Sequence, residues 1–280
     1  MSGLVDLEAL EALVRRAADA ILEVYRGTFD VEHKEDRSPL TVADTRSHRI
    51  LADGLKALTP GIPVLSEEGK HVAYAHRRHW ERFWLVDPLD GTKEFIKRNG
   101  EFTINVALVE GRLPILGIIH VPVADLFAVG DVRRGGEIRG PDGFRPLAIA
   151  KDPPAEGVRV VRSRSHASPD LERLLETLPG HRVVSKGSAL KFIALAAGEA
   201  DFYPRTGPTC EWDTAAGQAL VTAAGGVVVD FHGNPLTYNK PDLLNGPFLA
   251  APSLKWLEAT GILARAARLP LHSAHTDPSG

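Results

Sequence analysis

The chain has 280 residues, 44% hydrophobic and 25% charged, the make-up of an ordinary globular protein with room for one large domain or two small ones. Its 36 acidic residues outnumber 33 basic ones, and the net charge of -3 argues against a nucleic-acid partner; no apolar run approaches the ~18 residues of a membrane span. A single cysteine, Cys210, excludes an intrachain disulfide framework, and Asp6, Glu8 and Glu11 stand where a secretory signal would be basic, so a small-molecule partner and the cytoplasm are expected.

Leu4, Leu7, Leu10, Val14, Ala17, Ala18, Ile21, Leu22 and Tyr25 recur at helical spacing, with Gly27 as a stop. A second helix is predicted from Thr41-Val42-Ala43-Asp44, which has the form of a capping box, through Ile50, Leu51 and Leu55 toward Pro60. A short strand then delivers Glu67 and Glu68 in Leu65-Ser66-Glu67-Glu68-Gly69, which reads either as a solvated turn or as two acids facing a site. The polar loop beyond it, with His71, His76, Arg77, Arg78 and His79, completes no zinc-ligand spacing.

The segment from Trp84 to Phe95 carries the strongest chemical signal. An apolar strand ends at Val86, Pro88 fixes a turn, and Gly91 allows close backbone approach, so Asp87 and Asp90 are expected to project into one small volume. Two such carboxylates repel unless a hard divalent cation lets both ionise as oxygen ligands. The amides of Gly91 and Thr92, at an expected helix start, could receive a phosphate oxygen. The spacing is not that of a calcium-binding EF-hand, because the glycine falls fifth from Asp87 and the twelfth position is Arg98. A strand, a turn and an N-capping aspartate would explain the same residues without a ligand.

Strands are predicted at Thr103 to Glu110, Ile115 to Val121 and Phe127 to Val129, with a hairpin around Gly135-Gly136 and Gly140 to Gly143. Lys151 to Gly157 reads as a linker between an α+β segment, 1–150, and an α/β segment, 151–268. In the latter, strands at Val158 to Arg162, Arg182 to Val184, Phe202-Tyr203 and Val227 to Asp230 alternate with helices after Ser168-Pro169, at Ser188 to Ala197 and near Asp213 to Ala224. Ser188 and Lys191, three apart at a helix start, are expected on one face, where a phosphate could meet both. The tail 269–280 reads as disordered. Cys210 reads as a small packed residue beside Trp212, and Asp213 alone would be an N-cap.

Together, Glu67-Glu68, then Asp87-Pro88-Leu89-Asp90-Gly91-Thr92, then Trp212-Asp213 with Ala215-Ala216-Gly217, resemble the hallmarks of the inositol monophosphatase and fructose-bisphosphatase superfamily. The resemblance covers roughly residues 4 to 250 and implies a layered αβαβα sandwich and magnesium-dependent, lithium-sensitive phosphatase activity. Thr92-Lys93-Glu94-Phe95, Ser163 to His166, Gly187 to Phe192 and Tyr203 to Thr209 are similar to the bacterial 3'(2'),5'-bisphosphate nucleotidases within it; Ala189 departs, where a second serine is usual.

That resemblance implies a nucleotide bisphosphate substrate and two magnesium ions. Glu67, Asp87 and the Leu89 carbonyl would hold one; Asp87, Asp90 and Asp213 would hold the other, with a third, weaker ion near Glu67. It implies Asp44, Glu67 and Thr92 as catalytic residues, although the capping-box role competes for Asp44. Gly91, Thr92, His166, Ser188, Lys191 and Arg205 would bind substrate. Inositol monophosphate or fructose 1,6-bisphosphate are the rival substrates, and a non-catalytic nucleotide- or metal-binding regulator is the rival class.

Overall fold

The computed structural model describes residues 5–28, 31–33, 39–151, 157–163, 169–176, 178 and 180–269. The predicted opening helix is α1 (Leu7–Arg26), whose N-terminal amides of Glu8 and Ala9 bond the Asp6 carboxylate. It is followed by the antiparallel pair β1 (Val31–His33) and β2 (Pro39–Thr41), then α2 (Val42–Leu58). Then come β3 (Val64–Ser66), α3 (Tyr74–Arg77), β4 (Arg82–Asp90), α4 (Thr92–Ile96), β5 (Thr103–Glu110), β6 (Leu113–Val121), β7 (Leu126–Asp131), β8 (Gly135–Gly140) and β9 (Gly143–Pro146). Seven of these strands form one sheet in the order β3-β4-β5-β6-β7-β8-β9, antiparallel except for β3 with β4.

The second segment contains β10 (Arg159–Ser163), α5 (Pro169–Leu175), β11 (Arg182–Lys186), α6 (Leu190–Ala196), β12 (Tyr203–Arg205), β13 (Thr209–Cys210) and α7 (Glu211–Ala223). It ends with β14 (Val227–Asp230), β15 (Leu244–Asn245), β16 (Phe248–Ala251), α8 (Leu254–Ala259) and α9 (Ile262–Ala266). Strands β12-β16-β14 form a second sheet, to which a parallel bridge between Val160 and Phe202 joins the β10-β11 pair.

Side-chain alternation shows why these elements stack in layers. On β5, Ile104, Val106 and Leu108 pack with α1 and α2, while Ala107 and Val109 join a core shared with α6 and α7. On β16, Phe248 and Ala250 face that shared core, and Leu249 and Ala251 face α5, α8 and α9. The result is an αβαβα sandwich in which the central strands of both sheets are buried on both faces, while the edge strand β9 is exposed. Helix α7 lies unusually close to the first sheet: a Cβ on Gly117 would stand 2.4 Å from the Ala216 carbonyl oxygen and 2.8 Å from the Ala219 Cβ. The small residues of α7 thus fix the height of its N-terminal turn above β4–β6.

The polar loop after β3 is more ordered than its composition predicts. Arg77 is buried and donates to Asn239 Oδ1 at 2.9 Å and to the Pro241 carbonyl at 2.9 Å, while Asn239 returns a bond to the Arg77 carbonyl at 2.7 Å. The predicted linker lies largely, and the tail beyond Leu269 wholly, outside the described residues.

Candidate metal and phosphate site

Strand register assembles the acidic residues. Ser66 on β3 stands opposite Val86 on β4, and the Glu67 amide continues the ladder to the Val86 carbonyl at 3.1 Å, so Glu67 and Asp87 leave neighbouring strands at one level. On the other side, Asp87 pairs with Asn105 and Asp90 with Thr103: three steps on β4 match two on β5. In a regular strand, residues three apart point to opposite faces; the extra residue at this bulge returns Asp90 to the face of Asp87, because Thr103 and Asn105 share one face. Gly91, at φ 89°, then turns the chain into α4, where an added Cβ would meet Ser188 and the Glu101 carbonyl at 3.1 and 3.3 Å.

The electrostatics follow from this crowding. Asp87 is 1% exposed, and burial, then Glu67, Asp90 and Asp213, push its carboxyl well above the ordinary carboxylate value. Asp213, in the first turn of α7, is raised well above its ordinary value by loss of bulk water and next by Asp90, although its side chain is partly accessible from the cavity it lines. Among the described residues no three His, Cys, Asp or Glu side chains converge into a ready-made ligand cage. Each aspartate is turned onto a protein donor through one oxygen: Asp87 accepts from the Leu89 amide at 3.1 Å, Asp90 from Ser188 at 2.6 Å, and Asp213 from the Cys210 amide at 2.8 Å. The donor set itself, crowded carboxylate oxygens of which those of Asp87 and Asp213 are pushed toward holding protons, fits a hard divalent cation.

Helix α2 presents a polar stripe to the same loop. Asp44 Oδ2 accepts from the Thr41 amide at 2.8 Å and the Thr41 hydroxyl at 2.6 Å, while Oδ1 lies 3.3 Å from the Thr92 hydroxyl. The capping role and the Thr92 contact, competing readings of the sequence, coexist on different oxygens. One turn on, Ser47 donates to the Pro88 carbonyl at 2.7 Å, and His48 Nδ1 lies 2.9 Å from Ser66 Oγ. The Thr92 hydroxyl also lies 3.4 Å from the Leu89 carbonyl.

A cavity of about 420 Å³ opens on these groups, lined among others by Glu67, Asp90, Gly91, Thr92, Ser188, Lys191, Tyr203, Arg205 and Asp213. The predicted helix face shared by Ser188 and Lys191 is not formed. Helix α6 begins at Leu190, and Ser188 precedes it at φ 44°, with its hydroxyl turned to Asp90 and 2.6 Å from that of Thr103. The Lys191 ammonium instead donates to the Ser188 carbonyl and faces the Tyr203 ring, 5.7 Å from its centroid. Arg205 donates to the Gly207 and Pro208 carbonyls at 3.3 and 3.2 Å. His166 lies outside the described residues, although Ser163 of the same predicted element lines the cavity.

Thr103, Asn105, Ser47 and Glu211 were not singled out by the motifs. Thr103 and Asn105 had a signal, two polar residues at same-face positions of the otherwise apolar β5. Glu211 had only its place beside Trp212-Asp213. It is 0% exposed and holds the Asn239 amide at 2.7 Å, the Lys240 amide at 2.9 Å and the Lys240 ammonium at 2.7 Å, fastening the 239–245 loop to the first turn of α7. Cys210 is no nucleophile, since burial, the largest influence, pushes its thiol up to about 12.

The chain belongs to the inositol monophosphatase family, whose sequence model matches residues 5–269. Within it, the chain is 47% identical over 243 residues to the 3'(2'),5'-bisphosphate nucleotidase CysQ of Escherichia coli K12, covering 86% of this chain and 97% of that protein. The CysQ of Salmonella typhimurium is 46% identical over the same length. Among solved structures, CysQ from Bacteroides thetaiotaomicron superposes with a TM-score of 0.76 at 38% identity, over 88% of this chain and 96% of that one. An IMPase from Thermotoga maritima gives the same TM-score at 23% identity, over 93% and 97%, a likeness of fold alone.

Proposed function

We propose that this protein is a metal-dependent 3'(2'),5'-bisphosphate nucleotidase that uses water to remove the 3'-phosphate of adenosine 3',5'-bisphosphate, giving AMP and inorganic phosphate. The observation that carries the reading is one cavity lined both by Glu67, Asp90 and Asp213 and by the cations Lys191 and Arg205. A substrate with two phosphates uses both sets: one phosphate at the carboxylate-bound cations, the other at the basic side chains. The 47% identity to proteins named for this activity supports the same substrate class.

In this reading Glu67, Asp87 and the Leu89 carbonyl would hold one magnesium, and Asp87, Asp90 and Asp213 would hold the second. Divalent cations there supply a water of lowered pKa and neutralise charge on the scissile phosphate. The chain's own residues do the rest. Asp44 accepts a hydrogen bond from the Thr92 hydroxyl, which leaves the lone pairs of the Thr92 oxygen free to accept from the attacking water and aim it. The Gly91 and Thr92 amides hold a phosphate oxygen. Lys191 and Arg205 anchor the other phosphate, and the family resemblance adds His166 and Ser188 to the residues that bind the nucleotide. Segment 1–150 supplies most of the metal site and 151–268 most of the substrate site, and the cytoplasm is the proposed compartment.

The test is phosphate release with magnesium from adenosine 3',5'-bisphosphate, inositol 1-phosphate and fructose 1,6-bisphosphate. The bisphosphate nucleotide should give the highest kcat/KM; equal or higher efficiency on inositol 1-phosphate would move the protein to the other branch of its family.

A further inference from the structure

Asp90 is held by a closed ring of polar groups that spans both halves of the chain. Ser188 Oγ donates to Asp90 Oδ2 at 2.6 Å and lies 2.6 Å from Thr103 Oγ1; Thr103 reaches Asn105 Oδ1 at 2.9 Å, and the Asn105 amide returns to the same Asp90 oxygen at 3.4 Å. The two hydroxyls bring two protons to three contacts: that of Ser188 goes to Asp90, and that of Thr103 goes to Asn105 or to Ser188, one at a time. Thr103 is 0% and Asn105 1% exposed, and neither lines the cavity. A direct contact with substrate therefore does not account for them.

Ser188 adopts a left-handed backbone, φ 44°, which is costly for a residue with a Cβ and is maintained only where the surroundings demand it. That conformation aims its hydroxyl at Asp90 while its carbonyl accepts from the Lys191 ammonium. One residue thus ties the proposed phosphate anchor to the proposed cation ligand.

We propose that Ser188, Thr103 and Asn105 are positioning residues for Asp90, and that Ser188 couples phosphate anchoring at Lys191 to divalent-cation binding at Asp90. The inference rests on the nucleotidase reading and adds a coupling to it: each ligand raises the affinity for the other by the same factor.

The test is Mn²⁺ binding, followed calorimetrically on the whole protein without nucleotide and again with AMP, which carries the 5'-phosphate; Mn²⁺–AMP pairing in solution is subtracted. Thr103→Val keeps the buried shape, removes the hydroxyl that holds both Ser188 and Asn105 in place on Asp90, and should weaken Mn²⁺ by about 10-fold, the lower end of what losing a metal ligand's own hydrogen-bond partner costs. Thr103→Ser should restore binding. AMP should tighten Mn²⁺ binding in the wild type, and Ser188→Gly, which accepts the left-handed backbone without its hydroxyl, should lose that tightening. If Thr103→Val fails to fold, Ser188→Gly carries the same titration. Wild-type Mn²⁺ affinity in folded variants, or AMP coupling that survives Ser188→Gly, overturns the inference alone. A wild-type protein that binds no Mn²⁺ overturns the metal site and this inference with it.

Discussion

Lys191 is where the geometry makes its sharpest quantitative demand. The side chain is 5% exposed, and burial, the largest influence, pulls its pKa from 10.5 down to about 8, with Asp90 opposing and Arg205 reinforcing the fall. Anchoring a phosphate dianion requires the ammonium form, so affinity is present below the folded-state pKa and lost as pH rises through it. When only the protonated fraction binds, the apparent dissociation constant doubles at the pKa and rises about 11-fold one pH unit above it. A cation at Asp90 would cancel the carboxylate that opposes the fall of the Lys191 pKa and so would move the midpoint lower. Lys191→Met removes the charge at similar volume and should cost about 1.5–3 kcal/mol, roughly 10- to 160-fold, for the charge-assisted contact.

The assay is the ratio of KM for adenosine 3'-monophosphate to that for adenosine 3',5'-bisphosphate, from about pH 6.5 to about pH 9.5, a range above the second phosphate pKa of about 6. Taking the ratio cancels titrations shared by both substrates and isolates the second phosphate. In the wild type it should be large at neutral pH and shrink under alkaline conditions; in Lys191→Met it should be small and flat. A wild-type ratio independent of pH, together with an unchanged ratio in the variant, would refute Lys191 as the anchor and misplace the nucleotide pocket.

Asp90→Asn should nearly abolish turnover without unfolding the protein, because an amide cannot supply the anionic ligand; near-wild-type turnover in saturating magnesium would sink the two-cation assignment. Metal removal should make stability pH-dependent. The folded-state carboxyl of Asp87 is raised above its ordinary value of 3.8, so the metal-free fold holds a proton that the unfolded chain releases, and stability falls as pH rises through that window. His120, buried and pulled from 6.5 to about 4, has the opposite sign between those values, since there the unfolded chain binds the proton. The comparison is therefore the melting temperature in chelator of wild type against Asp87→Asn: the wild type should lose relative stability toward neutral pH and regain it with magnesium, and parallel curves would count against the crowded-carboxylate picture.

What the sequence made legible was whatever rests on local pattern. The stripe to Tyr25 with its Gly27 stop, the cap at Thr41 and the β-rich run from Thr103 to Glu110 predict elements that agree closely with α1, α2 and β5, although the stripe's first member, Leu4, lies outside the described residues. The acidic motifs became legible only together: each alone passes for a turn or an N-cap, and it is their order along the chain that resembles the family. Arg77 carried no signal of its own in a histidine-rich polar loop, because its partners are Asn239 and Pro241, more than 160 positions away in the chain, where no local pattern reaches. Ser188 read as the first residue of a helix because Ser-Ala-Leu-Lys has helix-start chemistry; tertiary bonds to Asp90 and Thr103 instead hold it left-handed, one step outside.

The same long-range logic explains why the site is indivisible. Asp87 and Asp90 come from the first segment and Asp213 from the second, and the height of Asp213 is set by α7 pressing its small residues onto Gly117 of the first sheet. A larger residue at Gly117 would meet the Ala216 backbone before any side chain could yield, so relief would require α7 to lift, carrying Asp213 away from Asp90. Packing in the shared core and convergence of the carboxylates are thus one geometric condition: the burial, and after it the carboxylate crowding, that raise Asp87 and Asp213 persist because packing of Phe192, Leu220 and Val221 in the core shared with the first sheet holds the two segments together.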